Sequence, residues 1–274
     1  MDRQGSNHAL IFFNQVVDLC YDGGSMYDGV NRYDGVSMRV DVMDDSEFRD
    51  IRKLEILAQM TDENFRKLTR RAYVQNFPVR VELITEGEPS DFLHIVLSGS
   101  VDLFSAWNGR EASLATVRPI STLVLAATIR DAPYLMSART LEKSRIALIP
   151  SKDVRTVFDA DNAFARAIVA ELAQCYRSVV KNIKELKLRT SLERLANYLL
   201  RQQGRAGGEA VFDLDFEKRR LASVLGMTPE HLSRAFKGLQ PHGVTVNGTR
   251  ITIDNRSALE KFARPNPLID DFSS

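Results

Sequence analysis

Residues 218–240 read KRRLASVLGMTPEHLSRAFKGLQ, and no other segment restricts the fold as tightly. Leu221, Ala222 and Leu225 share one face of a first helix, and Gly226-Met227-Thr228 makes a short turn. Thr228 is an N-cap residue followed by Pro229 at the first helical position, the order that starts a second helix. In that helix Leu232, Ala235, Phe236 and Leu239 fall at i, i+3, i+4 and i+7, one apolar stripe to be buried. Glu230, Ser233, Arg234 and Lys237 repeat the same spacing on the opposite side. The segment is a helix-turn-helix whose outward face carries groups able to reach base edges and phosphates in a major groove. The bland alternative is a solvated face with an i,i+4 pair between Glu230 and Arg234, worth only about 0.2–0.5 kcal/mol.

The downstream residues support a winged form. Residues 244–253 alternate apolar and polar around Asn247-Gly248, a strong hairpin signal. A short closing helix is expected over 254–262 and a loose tail from 264 onward. Upstream, residues 162–188 form a long helical pattern in which Ile168, Leu172, Cys175, Val179, Ile183 and Leu186 recur in steps of three or four. That near-heptad seam suits pairing with a second copy, covering the chain's own core, or both. Arg189-Thr190-Ser191 interrupts it as a hinge, and another helix is expected over 192–202.

Between 44 and 160 the texture changes twice. Short helices are expected around Phe48–Leu57, and a further one from Thr61 through Phe65, Leu68 and Tyr73. Then come short β runs at 79–84, 92–97, 101–106, 112–117, 136–141 and 145–149, with turns at Glu86-Gly87-Glu88-Pro89, Ser98-Gly99-Ser100 and Asn108-Gly109. An apolar patch at 123–129 interrupts them. Such a run reads as a compact barrel or jelly-roll-like module. Residues 1–43 differ: Tyr-Asp-Gly recurs at Tyr21, Tyr27 and Tyr33 with little apolar periodicity. Three copies without a stacking position give little core, so an unstructured extension or an over-long start (Met26, Met38 or Met43 as initiator) is expected.

Composition narrows the class. A net charge of +1 means any nucleic-acid surface is local. Cys20 and Cys175 are the only cysteines, too few for a disulfide framework or a four-thiolate cluster, so a cytoplasmic setting is expected. No stretch of about 18 apolar residues suggests a membrane span, and 9–20 lacks the flanks of a signal peptide. There is no Ser/His/Asp set, paired metal ligands or Walker loop, so catalysis has no support and no cofactor is expected.

The order of barrel, long helix, hinge and winged helix-turn-helix resembles the superfamily of the cyclic-AMP receptor protein and the fumarate–nitrate reduction regulator. The resemblance spans residues 48–263 and rests on Glu86-Gly87-Glu88-Pro89-Ser90-Asp91-Phe92-Leu93, Leu97-Ser98-Gly99-Ser100-Val101, Arg194-Leu195-Ala196 and residues 221–262. It implies an α+β fold: a double-stranded β-helix of the cyclic-nucleotide-binding type (44–160), a dimerisation helix (161–188), a winged helix-turn-helix DNA-binding domain (189–264) and a tail (265–274). It also implies a homodimer on double-stranded, palindromic DNA beside promoters, with RNA polymerase as a partner. Glu230-His231-Leu232-Ser233-Arg234 matches the Glu-x-x-Ser-Arg pattern of the fumarate–nitrate branch, which implies TTGAT-like half-sites. Arg234 suits guanine, Glu230 a cytosine or adenine amino group, and Ser233 a base edge. Lys218, Arg219, Arg220, Thr228, Lys237 and Arg250 are the candidates for phosphate or groove contacts.

The sensor half departs from the family. Cyclic-nucleotide-binding relatives carry a Gly-Glu pair for ribose and an Arg-Ser pair for the cyclic phosphate. Residues 117–140 hold neither glycine nor glutamate, and Met136 precedes Ser137 where arginine is needed. A buried cyclic phosphate without a guanidinium costs several kcal/mol, so cyclic nucleotide binding is disfavoured. Arg130 and Arg139 remain candidates for an anion, and His94, Met136 and Ser137 complete a candidate effector pocket. His94 as an axial haem ligand is the competing sensor reading; a packed core histidine is the plainer one. A nucleotide-regulated enzyme with a vestigial winged domain is a third alternative and lacks residues to carry chemistry.

Overall fold

The computed structural model describes residues 30–33, 36–214 and 217–271. Strands β1 (Val30–Tyr33) and β2 (Val36–Val42) pair antiparallel with Tyr33 opposite Val36. The stretch expected to lack structure therefore contains a strand pair, while residues 1–29, with the first two Tyr-Asp-Gly copies, lie outside the described residues. The described residues before Val42 belong to one unit and those from Val42 onward to a second.

The second unit opens with three short helices, α1 (Asp45–Arg52), α2 (Glu55–Ala58) and α3 (Asp62–Thr69). Asp44 starts α1 through a capping box with Glu47, and the Thr61 hydroxyl caps α3. Helix α3 ends at Thr69, so Tyr73, expected on that helix, instead begins β3 (Tyr73–Phe77), which buries Val74 and Phe77. The run expected at 79–84 shrinks to β4 (Glu82–Ile84), because Arg80 takes a positive φ of 65° that no strand accommodates.

Strands β5 (Phe92–Ser98), β6 (Val101–Trp107), β7 (Arg110–Val117), β8 (Ser121–Leu123), β9 (Ser137–Thr140) and β10 (Ser144–Pro150) complete a double-stranded β-helix. One antiparallel sheet runs β3-β10-β5-β8, the other β4-β9-β6-β7. The apolar patch at 123–129 divides between the end of β8 and helix α4 (Leu125–Arg130).

Helix α5 (Ser151–Ala160), unforeseen in the sequence, leads into α6 (Asn162–Leu188), whose bounds match the helical pattern. Asp161 separates the two. One of its carboxylate oxygens accepts the Ala163 and Phe164 N–H groups at 2.9 Å each; the other takes Asn64 Nδ2 at 2.9 Å. A single side chain thereby caps α6 and ties α3 to it. Phe164 and Ile168 then sink into the barrel core with Ile51, Leu57, Leu93, Ile95 and Ile149.

The C-terminal domain comprises α7 (Ser191–Arg205), β11 (Val211–Asp213), α8 (Lys218–Val224), α9 (Pro229–Gly238), β12 (Val244–Asn247), β13 (Arg250–Ile253) and α10 (Arg256–Ala263). Its sheet runs β11-β13-β12, so the wing gains a third strand beyond the expected hairpin. Asn247 pairs with Arg250, which makes Gly248-Thr249 the turn rather than Asn247-Gly248; Gly248 takes the positive φ of 65°. The tail also differs from expectation. Residues Pro267–Asp270 form a one-turn helix, α11, with Ile269 buried.

Candidate nucleic-acid interface

Helix α9 starts where the Thr228 hydroxyl accepts the His231 N–H at 3.2 Å and Pro229 fills the first helical position. Leu232, Ala235, Phe236 and Leu239 are buried in a core shared with Leu195, Leu199, Leu221, Val244, Ile251 and Leu259. Glu230, Ser233, Arg234 and Lys237 are all exposed. Glu230 is held below the ordinary carboxylate range by its own backbone N–H first, then by the Thr228 hydroxyl, with the Arg234 charge contributing least. The Ser233 hydroxyl donates to the Pro229 carbonyl at 3.0 Å, leaving its lone pairs outward.

The other groups sit around this face. Lys218, Arg219 and Thr228 are exposed, and Arg220 is half-buried. Arg250 is exposed on the wing, with Nε 3.8 Å from Asp213. Arg219 stands apart because α8 packs against β7 of the barrel, where the Ser113 N–H donates to Ser223 Oγ at 2.7 Å. Glu111 on β7 has its carboxyl lowered chiefly by Arg139, with Arg219 adding to the field.

Arg194, noticed in the sequence only as part of a motif, holds the turn ahead of α9. Its guanidinium donates to the carbonyls of Leu225 at 2.8 Å, Gly226 at 3.3 Å and Arg189 at 2.8 Å. Gly226 has a positive φ of 63°, and a Cβ there would meet Leu186 of the long helix at 2.8 Å. Thr190 and Glu193 form a capping box at the hinge, and Ser191 Oγ lies 3.0 Å from His231 Nε2.

The exposed stripe on α6 keeps four of the six expected seam positions, Leu172, Val179, Ile183 and Leu186, and takes Val169 and Tyr176 in place of Ile168 and Cys175. Ile168 belongs to the barrel core, and Cys175 sits beside the exposed stripe. Val169, Tyr176 and Ile183 fall seven apart, as do Leu172, Val179 and Leu186; all but the half-buried Leu172 are exposed. This is an a/d pattern that, among the described residues, stays largely exposed. Burial, followed by the neighbouring Glu171 charge, pushes the Cys175 thiol up.

The effector candidates are engaged separately. Ser137 is buried on β9, its hydroxyl accepting the Glu86 N–H at 3.0 Å. Arg139, its neighbour but one, alternates to the opposite face from the fully buried Ala138. There it donates to Glu111 at 2.9 and 2.5 Å and to Asp102 at 3.1 Å, and stacks 4.2 Å over Phe104. Arg130 is exposed at the end of α4, and Met136 is half-buried. A cyclic phosphate would find neither guanidinium waiting in the barrel; the residues present do not fit that ligand. His94 is buried on β5 opposite Leu123 and Leu148, and burial pushes its pKa down to about 4.

Among the described residues, no cluster of candidate metal ligands occurs and no helix is long and apolar enough to cross a membrane. Residues 74–161 match the family model of the cyclic nucleotide-binding domain, and residues 193–262 that of the Crp-like helix-turn-helix domain. The chain belongs to the superfamily of the cyclic-AMP receptor protein and the fumarate–nitrate reduction regulator. Among its relatives in this superfamily, the CRP-like cAMP-activated global transcriptional regulator of Mycobacterium tuberculosis is 24% identical over 203 residues, 72% of this chain and 91% of that protein. The fold is shared with FixK2 from Bradyrhizobium japonicum (TM-score 0.59, 23% identity, 69% of this chain and 96% of that one). It is shared equally with a CooA mutant from Carboxydothermus hydrogenoformans (TM-score 0.62, 17% identity, 77% and 94%). The superfamily consists of transcriptional regulators.

The buried His94 has a pH consequence. Its folded pKa of about 4 lies below the ordinary 6.5, so the unfolded chain takes up the proton first as pH falls. Stability is therefore lost from pH 6.5 downward, by about 2 kcal/mol between pH 7 and pH 5 from this residue alone. His94→Leu should flatten the pH dependence of the urea-unfolding free energy by about that amount. An unchanged slope would contradict the burial.

Proposed function

We propose that this regulator is a homodimer that reads a palindrome with TTGAT-like half-sites, setting Glu230, Ser233 and Arg234 of each α9 against base edges. The observation that carries this reading is the division of α9: its apolar stripe lies in the domain core and its polar face is exposed. Arg234 has the length and planar fork for a bidentate pair to guanine, Glu230 accepts from an amino group of cytosine or adenine, and Ser233 offers lone pairs. Lys218, Arg219, Thr228, Lys237 and Arg250 hold phosphates and groove walls around it. Arg219 leaves the field of Glu111 when it does so. The setting is the cytoplasm, and RNA polymerase is the partner beside the bound promoter.

The exposed a/d stripe of α6 is the face that meets a second copy, placing the two α9 helices about 34–36 Å apart, one turn of DNA. The barrel takes an input other than a cyclic nucleotide, as the engagement of Ser137 and Arg139 supports.

Arg234→Ala should remove about 1–3 kcal/mol of discrimination per half-site while leaving weak, salt-sensitive binding. If the variant still prefers the TTGAT palindrome over scrambled DNA in a mobility-shift titration, the assignment fails. Ile183→Glu places an unpaired carboxylate in the middle of the stripe, which costs several kcal/mol, and should weaken dimerisation about a hundredfold or more in sedimentation equilibrium. A variant that stays dimeric would move the interface elsewhere. Calorimetric titration with cyclic AMP and cyclic GMP should give no binding heat; micromolar affinity for either would refute the sensor reading.

A further inference from the structure

The tail makes contacts that neither DNA reading nor barrel sensing requires. Asp270 on α11 receives a bidentate pair from Arg189 (Nη1 to Oδ1 at 2.7 Å, Nη2 to Oδ2 at 2.6 Å) and a further bond from Arg201 Nη1 at 2.7 Å. Glu185 closes the cluster, 3.2 Å from Arg201 and 3.6 Å from Arg189. These four side chains come from four places: the end of α6, the hinge, α7 and the tail. They retain only 7–18% of their side-chain exposure. Two more cations of α6 grip the tail backbone: Lys184 Nζ donates to the Leu268 carbonyl at 3.3 Å, and Lys181 Nζ to the Asp271 carbonyl. Ile269 is buried beneath them.

We propose that Asp270 is a positioning residue for DNA recognition, and that residues 264–271 are a strap fixing the angle between the long helix and the winged domain. This rests on the reading of α9 as the DNA-contacting helix. The path from the strap to that helix is short. Asp270 immobilises the Arg189 side chain, and the Arg189 carbonyl accepts from Arg194. The same Arg194 holds the Leu225 and Gly226 carbonyls in the turn before α9. Without Asp270, Arg189 and Arg201 lose the carboxylate they share in a site largely closed to water. Hydrating the charge it leaves behind requires the hinge to open. The strap's contacts described above are with α6, the hinge and α7, so it governs where the two helices stand and leaves what each one reads unchanged.

Two readouts test this. The first needs no DNA: spin labels at Ala170→Cys on α6 and Lys237→Cys on α9, with Cys20 and Cys175 replaced by serine, diluted into unlabelled chain. The parent should give one narrow distance distribution, Asp270→Ala a broad one, and Asp270→Glu, which keeps the charge, a narrow one again. The second compares affinity for a palindrome of TTGAT half-sites with that for a duplex holding one half-site. Asp270→Ala should lose about tenfold or more on the palindrome, because simultaneous engagement depends on geometry, and change less than about twofold on the single half-site. Asp270→Glu should recover the palindrome. An unchanged distance distribution, or an equal loss on both duplexes, overturns the strap. A parent protein that does not prefer the palindrome overturns the reading of α9 itself, and is distinguished by failing before any tail substitution is made.

Discussion

Burial of Leu232, Ala235, Phe236 and Leu239 is the constraint on which the rest of this molecule depends. Taking large apolar side chains such as Leu and Phe out of water stabilises by about 1.5–3 kcal/mol each. Turning α9 by one residue would move its polar groups into the core and its apolar groups out. The rotation of the helix is therefore set by packing alone, and Glu230, Ser233, Arg234 and Lys237 face outward as its consequence. Thr228 and Pro229 determine where the helix begins, and Arg194 determines where the preceding turn sits.

The long helix carries that geometry to the other end of the second unit through three successive environments. Its first turns are barrel core, through Phe164 and Ile168. Its middle presents the uncovered stripe centred on Tyr176 and Val179. Its last turns are gripped from the side by the tail, which buries Lys181 and Glu185 against expectation for such residues. Strand β7 adds a second tie by docking on α8 through Ser113 and Ser223. The barrel is thus joined to the winged domain by two physical routes, one along α6 and one across β7.

How much of this was legible in the sequence depends on whether each signal was local. The faces of α9, the bounds of α6, the strands of the wing and the hinge at Arg189–Ser191 are all encoded by neighbours a few residues apart. At the start of the seam Val169 takes the place of Ile168 because both are apolar, and only the barrel decides which of them it buries. Tyr73 left its helix because β10 offered a partner strand. The pair β1–β2 had a readable signal in the alternation of Val36, Met38, Val40 and Val42, masked by the attention the Tyr-Asp-Gly repeat draws. Two features were not legible at all: the engagement of Arg139 by Asp102 and Glu111, and the meeting of Asp270 with Arg189 and Arg201. Each joins residues far apart in the chain, and charge alone does not announce a partner.

In the proposed function the outward face of α9 reads sequence as one of a symmetric pair. Selection of duplexes from a random library by the purified protein tests it most directly, since no site is assumed beforehand. The expected result is enrichment of a palindrome whose half-site centres lie one helical turn, about 10–10.5 base pairs, apart. Enrichment of no palindrome, or retention of DNA by charge without any shared sequence, would contradict it.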